Sequence, residues 1–160
     1  MEIRDALADD ALAACAVMRR SIAELCAADH GNDPAIVARW LANKTPETVR
    51  SWIAQRGNSL LLAVEDGAVL AVGSVTDKGE ITLNYVAPDA RFRGVSRTLM
   101  VALEARAMER GCAQFTLTST ATARRFYRSA GYVETAAPVM MFGMPGYPMA
   151  KPRPPSGIMR

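Results

Sequence analysis

The chain has 160 residues, half of them hydrophobic and 22% of them charged, with a formal net charge of +3. These values predict one soluble globular domain with a single core and no membrane partner, because no apolar run could span a bilayer. The modest charge, gathered in small basic clusters, argues against nucleic acid as a partner, and the N-terminus lacks a signal-peptide pattern, which predicts a cytoplasmic protein.

The first third of the chain is predicted to be one strand followed by three helices. Residues 3–6 form the strand, and Asp9 or Asp10 caps a long helix. The apolar face of that helix is predicted to carry Leu12, Cys15, Met18, Ile22, Leu25 and Cys26. Residues 30–34 break the helix, and residues 35–41 form a short one. Thr45 caps a third helix, which begins at Pro46 and runs to residue 55.

Cysteine and histidine usage predicts that the chain holds no metal. Cys15, Cys26 and Cys112 are an odd set without a CxxC spacing, so buried reduced thiols are the expected state. His30 is the only histidine, which excludes a site built from several histidines.

The middle of the chain is predicted to be an antiparallel meander of three strands. Residues 60–65 and 68–76 flank Asp66-Gly67, a strong hairpin signal, and residues 77–79 turn into a third strand over residues 80–86.

A basic turn connects this third strand to the next helix. Gly94 lets the backbone approach a ligand closely, and Arg91, Arg93 and Arg97 surround it with positive charge. A helix N-terminus presents unpaired N–H groups and the positive end of the helix dipole, so the turn predicts a pyrophosphate site. The Gly-Lys-Ser/Thr ending of a Walker loop and the three glycines of a dinucleotide fingerprint are both missing.

The remaining elements are a helix over residues 97–110, a strand over 113–118, a helix over 120–130 and a strand over 132–135. A hairpin of residues 139–142 and 147–150 is predicted to turn at residues 144–146. The strands at 80–86 and 113–118 are joined through a helix, which predicts that they are parallel. Residues 1–151 are expected to form the domain, and residues 152–160 a mobile proline-rich tail.

Residues 85–97 resemble the acetyl-CoA loop of the GCN5-related N-acetyltransferase (GNAT) family. The family pattern is Gln or Arg, two residues, Gly, one residue, then Gly or Ala. Arg91, Gly94 and Ser96 occupy these places, and Ser96 departs from the pattern while staying small.

Residues 120–132 resemble a second segment of the same family, Asn-x-x-Ala-x-x-Phe-Tyr-x-x-x-Gly-Phe. The matching residues are Ala123, Phe126, Tyr127 and Gly131. Thr120 replaces the Asn and Tyr132 replaces the Phe. The two segments stand in the family's order, separated by one helix and one strand.

The resemblance implies an α/β (α+β) fold with a mixed, mostly antiparallel sheet, helices on both faces, and a splay between the parallel strands. It implies direct transfer of an acetyl group from acetyl-CoA to the amine of a small molecule or peptide, with a backbone N–H near Val86 polarising the thioester. A homodimer is a frequent state in the family. The expected cofactor contacts are Tyr85, Val86, Ala87, Arg91, Phe92, Arg93, Gly94, Val95, Ser96, Arg97, Thr120, Ala123 and Tyr127.

The resemblance places the hydroxyl of Tyr127 beside the CoA sulfur, where it would protonate the leaving thiolate; the alternative is packing alone. Glu80 is a candidate base acting through water, and the alternative is that it is only a solvated carboxylate in a turn. Asn84 and Tyr85 are expected either to line the acceptor pocket or to meet the pantetheine arm of the cofactor. His30 is a candidate for acceptor binding, and a surface position is its alternative. The rival to an enzyme is a non-catalytic CoA-binding or structural domain on the same scaffold.

Overall fold

The computed structural model describes residues 1–155, so residues 156–160 of the predicted tail lie outside the described chain. The strands are β1 (Glu2–Asp5), β2 (Asn58–Glu65), β3 (Ala68–Thr76), β4 (Ile81–Val86), β5 (Gln114–Ser119), β6 (Val133–Glu134), β7 (Val139–Met141) and β8 (Met144–Pro152). The helices are α1 (Ala11–Leu25), α2 (Ala27–His30), α3 (Pro34–Leu41), α4 (Pro46–Ala54), α5 (Val95–Glu109) and α6 (Arg124–Ser129). Within residues 1–155, no helix is long and apolar enough to cross a bilayer.

The strands form two antiparallel sheets. In the first, β1, β2, β3 and β4 pair in the order of the sequence. In the second, β8 lies between β5 and β6, and β7 also pairs with β8. The predicted meander is therefore present, and its third strand, β4, leads into α5.

Within residues 1–155, the two sheets meet at one parallel bridge, between the residue before β4 and a residue of β5. Glu80 bridges Thr116, and the N–H of Thr116 donates to the carbonyl of Gly79 at 3.0 Å. A Cβ on Gly79 would lie 2.4 Å from the carbonyl oxygen of Gln114, so only glycine allows β5 to come this close. Past the bridge, β4 and β5 belong to separate sheets and diverge. The predicted splay and fold class are confirmed.

Helices cover both faces of the first sheet because side chains alternate along its strands. On β2, Leu61 and Ala63 pack in the cluster that contains α5, whereas Leu60 and Leu62 pack in the cluster that contains α1 and α4. Each fully buried leucine contributes roughly 1.5–3 kcal/mol. The two cores fix β4 from both sides, which positions the residues along its free edge.

The predicted helix starts agree with the structure in part. The Thr45 hydroxyl accepts from the N–H of Thr48 at 3.2 Å, as a cap should. Asp10 precedes α1, but its carboxylate pairs with Arg4 at 2.8 Å instead of capping the helix. The prediction that Leu12 is buried is wrong: its side chain lies on the outer face of α1 and is 68% exposed.

Several predicted boundaries move. The helix predicted from residue 97 starts at Val95, directly after Gly94, and the helix predicted over 120–130 is confined to Arg124–Ser129. The hairpin between β7 and β8 turns at residues 142–143, not at the predicted 144–146. Strand β8 runs to Pro152, one residue into the segment predicted as tail.

Candidate functional site

A cavity of about 610 Å³ lies where β4 and β5 diverge. Its wall combines both strands with the end of α1, the loop between α3 and α4, and the turn between β7 and β8. The predicted site residues in the wall are Glu80, Asn84, Tyr85, Val86, Ser96, Thr120, Ala123 and Tyr127. The predicted residues outside the wall are His30, Ala87, Arg91, Phe92, Arg93, Gly94, Val95 and Arg97.

The turn before α5 has the geometry of an anion site on its backbone. Gly94 has a φ of 76°, and a Cβ placed on it would meet no atom within 4 Å. The glycine therefore serves the left-handed backbone, and the space beside it is open. The first N–H groups of α5 have no partner within the helix, so they can bind an anion there.

The arginine side chains of this turn do not converge. Arg93 donates to the carboxylate of Glu65 at 2.7 Å, and this hydrogen bond is the main cause of the lowered pKa of Glu65. Arg97 donates to the hydroxyl of Ser129 at 2.9 Å, and Arg91 lies over the exposed ring of Phe92. The phosphate contacts predicted for these side chains stay predictions. The backbone N–H groups of the turn are better placed to bind an anion than the arginine side chains are.

Tyr127 reaches the cavity from α6 and is held there by Asn84 on β4. The amide nitrogen of Asn84 donates to the Tyr127 oxygen at 3.0 Å, which leaves the phenol proton free for another acceptor. Burial raises the pKa of Tyr127, with the Asn84 hydrogen bond opposing the shift. A phenol with a raised pKa stays protonated at neutral pH, which a proton donor requires.

A buried network fixes the Tyr127 ring from behind. The ring of Tyr132 meets it edge-on, with centroids 5.9 Å apart. The Tyr132 hydroxyl donates to Glu104 at 2.7 Å, and Lys151 donates to the same carboxylate at 2.9 Å. Glu104 is 8% exposed, so this ion pair lies largely out of water.

Glu80 lies at the opposite end of β4 from Tyr127. The pairing of β3 with β4 shifts by one residue near Thr82, so Glu80 shares a face of β4 with Tyr85, whereas Asn84 faces Tyr127. Asn84 lies four positions after Glu80 along the strand, a distance of roughly 13 Å. Glu80 is exposed, and it can reach a group bound at the Tyr127 end only through water.

His30 is not at the cavity. It is 2% exposed, its Nε2 lies 2.8 Å from the carbonyl of Ile22, and its Nδ1 accepts from the N–H of Asn32 at 3.0 Å. Both ring nitrogens are therefore used by the backbone, and the geometry gives no support to acceptor binding by His30. The alternative of a surface histidine is wrong as well, because the ring is packed against Trp40.

The sequence reasoning missed Lys44, which is 2% exposed and lines the cavity. Burial lowers its pKa to about 8. A single lysine in a loop is usually exposed, so no local pattern could have singled it out. Residues 1–155 contain no cluster of three His, Cys, Asp or Glu side chains able to hold a metal ion.

The comparison with known families identifies this architecture. The model of the acetyltransferase (GNAT) domain matches residues 26–153. The chain therefore belongs to the GNAT acetyltransferase family. No curated protein matches the chain significantly.

Three solved structures illustrate the similarity, and two of them contain coenzyme A or acetyl-CoA. The GCN5-related N-acetyltransferase of Rhodopseudomonas palustris is 27% identical, with a TM-score of 0.85 and 95% of each chain covered. PaiA N-acetyltransferase of Thermoplasma acidophilum, in complex with coenzyme A, is 18% identical, with a TM-score of 0.81 over 95% of this chain and 98% of that one. YncA of Salmonella typhimurium, with acetyl-CoA, is 21% identical, with a TM-score of 0.72 and 98% of each chain covered.

Proposed function

We propose that this protein transfers an acetyl group from acetyl-CoA directly to a primary amine. The observation that carries the proposal is the pairing of Tyr127 with Asn84 at 3.0 Å inside the cavity between β4 and β5. It leaves the phenol with a free proton, which could pass to a thiolate leaving in the splay. Residues 1–151 are proposed to be the acetyltransferase domain.

The cofactor would lie along the free edge of β4 and end at α5. The pyrophosphate would accept hydrogen bonds from the backbone N–H groups after Gly94, and the pantetheine arm would enter the splay. The N–H of Ala87 donates to Leu70 on β3 at 2.8 Å, and backbone groups alternate in direction along a strand. The N–H of Val86 therefore points toward the splay, where it could polarise the thioester carbonyl.

In the reaction, the free amine attacks the carbonyl carbon of the thioester and the carbon–sulfur bond breaks. The amine loses one proton, and the thiolate gains one from Tyr127. Glu80 is the proposed first acceptor of the amine proton, through water. Both ring nitrogens of His30 already bond to the backbone, which removes it as a competitor for this role.

A covalent enzyme intermediate is not part of the proposal. Cys26 is the cysteine in the cavity wall, and burial raises its pKa to about 12. The thiolate is the reactive form of cysteine, and little of it would exist at neutral pH. Direct transfer, with both substrates held side by side, needs no such group.

The test is a thiol-release assay with acetyl-CoA and a panel of primary amines. The proposal expects CoA release that depends on the amine and an equal amount of N-acetyl product by mass spectrometry. If CoA binds but no amine releases it above the amine-free rate, the protein is a CoA-binding domain without this activity. If CoA does not bind at all, the cofactor assignment fails as well.

A further inference from the structure

Lys44 is a buried cation that faces the cavity without an acidic partner. Its Nζ donates to the Asn43 side-chain oxygen at 2.8 Å and lies 3.4 Å from the carbonyl of Trp40. Both of these acceptors are neutral, and an ammonium has three donors. None of the ion pairs within residues 1–155 includes Lys44. One N–H donor of the buried Lys44 ammonium is therefore free to bind a ligand.

The position of Lys44 is fixed by the fold. Its carbonyl oxygen accepts from Arg19 at 2.9 Å and from the thiol of Cys15 at 3.0 Å, which ties the loop between α3 and α4 to α1. Burying an unpaired ammonium costs free energy. These contacts hold the backbone of Lys44 at the cavity wall, so its ammonium stays buried. A binding group that is fixed in this way is preformed for its ligand.

The surroundings of the ammonium are aromatic. The ring centroid of Phe142 lies 5.2 Å from Nζ and that of Tyr85 lies 5.8 Å away. Burial lowers the pKa of Lys44 to about 8, but most of the group is still charged at pH 7. An anion bound in the cavity would favour the charged form and offset part of the burial cost.

Tyr85 supplies a second free donor on the same side of the cavity. The indole N–H of Trp40 donates to the Tyr85 oxygen at 2.9 Å, so the Tyr85 proton is not needed for that bond. The phenol and the Lys44 ammonium together form a pair of donors, which suits the two oxygens of a carboxylate.

Two acidic side chains, Asp29 and Glu80, also line the cavity. The carboxylate of Asp29 is already used by the N–H of Thr122 at 3.0 Å and by its hydroxyl at 2.6 Å. Glu80 is then the remaining acidic side chain of the wall. Neither carboxylate forms an ion pair with Lys44 within residues 1–155, so its ammonium stays available to a carboxylate of the acceptor.

We propose that the amine acceptor carries a carboxylate close to its amine, as an amino acid or short peptide does, and that Lys44 and Tyr85 bind this carboxylate. The proposal rests on the acetyl transfer proposed above. Binding the acceptor by its carboxylate on this side of β4 leaves its amine free to reach the thioester in the splay.

The experiment compares amino acids with their carboxamides in the wild type and in Lys44→Met. Methionine keeps the unbranched shape and most of the length of the side chain, without its charge. Lys78→Met is the matched control, because Lys78 lies exposed in the turn before β4. The measured quantity is the ratio of kcat/KM for each acid to that for its amide. Comparing this ratio between proteins cancels the different basicity of the two amines.

We expect Lys44→Met to lower the acid-to-amide ratio roughly 10- to 100-fold, the usual strength of a hydrogen bond between charged groups. Lys78→Met should leave the ratio unchanged. Tyr85→Phe should lower it by a smaller factor, and it serves as the second variant if Lys44→Met does not fold. CoA binding, measured as the rise in Tm that CoA causes, should be the same in the wild type, Lys44→Met and Lys78→Met.

Three results would overturn the proposal while leaving acetyl transfer intact. The acid-to-amide ratio could stay the same in Lys44→Met with CoA binding retained. The second result is that, in the wild type, none of the acids is a better substrate than its amide once the fraction of free amine has been allowed for. Finally, the acetyl group could appear on Lys44 itself, seen on its peptide by mass spectrometry. Loss of CoA binding in the wild type would instead refute the proposed function, and this inference with it.

Discussion

Replacing Tyr127 by Phe is the most informative single change, because it keeps the ring in α6 and removes only the hydroxyl. If that hydroxyl protonates the CoA thiolate, turnover should fall by about 10²-fold or more. The raised pKa of Tyr127 also has a consequence for the wild type. Because burial raises this pKa, the phenol stays protonated at neutral pH, and loss of the acid should not lower the wild-type rate as the pH rises moderately above neutral.

The same change should have a measurable effect on stability. The Asn84 amide nitrogen would lose its 3.0 Å partner, and the Asn84 oxygen is already buried without one. Leaving a buried donor unpaired costs about 1–3 kcal/mol, or roughly 2–10 °C in Tm for a domain of this size. Activity must therefore be assayed well below the Tm of the variant.

Tyr132→Phe is the matched control for Tyr127→Phe. It removes another buried hydroxyl, which donates to Glu104 at 2.7 Å, and Tyr132 is not in the cavity wall. We expect a similar loss of stability and a much smaller loss of turnover. Turnover of Tyr127→Phe equal to the wild type, with chemistry shown to be rate-limiting, would reduce Tyr127 to a packing residue.

Three further changes test other parts of the account. Gly94→Glu should abolish the rise in Tm caused by CoA, because it places negative charge where the pyrophosphate is expected. Glu80→Gln should lower the rate of acetylation of an alkyl amine, with partial recovery as pH rises toward the amine pKa of about 10. Glu104→Gln should lower the free energy of unfolding by about 2 kcal/mol in urea, because it weakens the bonds to Tyr132 and Lys151.

Two of these changes have a control within the chain, and the third has a result that would contradict it. Gly67→Glu introduces the same residue at a glycine with a similar φ of 79° and open space, so the CoA shift should survive there. A pH–rate profile of Glu80→Gln that superimposes on the wild type would remove Glu80 from the mechanism. Glu109→Gln alters an exposed carboxylate of α5, and equal destabilisation by the two glutamine variants would contradict the role given to Glu104.

The fold could be predicted from the sequence wherever a local pattern determines the structure. Strand β3 has the predicted bounds, and the cap at Thr45 forms as expected, because alternation and capping depend on near neighbours. The turn after β7 shows the opposite case. The Pro-Gly pair at residues 145–146 suggested a turn, but a Cβ on Gly146 would lie 2.8 Å from Thr118. That glycine serves the close approach of β5, which sequence neighbours do not reveal.

The candidate site could be predicted only as far as its motifs extend. The segments around Gly94 and Tyr127 each carry a recognisable pattern. The bond between Asn84 and Tyr127 joins residues 43 positions apart, and the burial of Lys44 depends on side chains from α1, β4 and the β7–β8 turn. The position of His30 along the chain suggested that it lies near the acceptor. The hydrogen bonds from the backbone to both of its ring nitrogens could not be predicted from that position.

The most direct test of the central claim is a single-turnover experiment with the protein in excess over acetyl-CoA labelled in its acetyl group. The best amine of the panel is added, and the reaction is stopped at intervals for separation of protein, acetate and acetylated amine. Direct transfer predicts that the label passes from acetyl-CoA to the amine nitrogen with no labelled protein at any time. Label that accumulates on Cys26 before reaching the amine, or that leaves only as acetate, would contradict it.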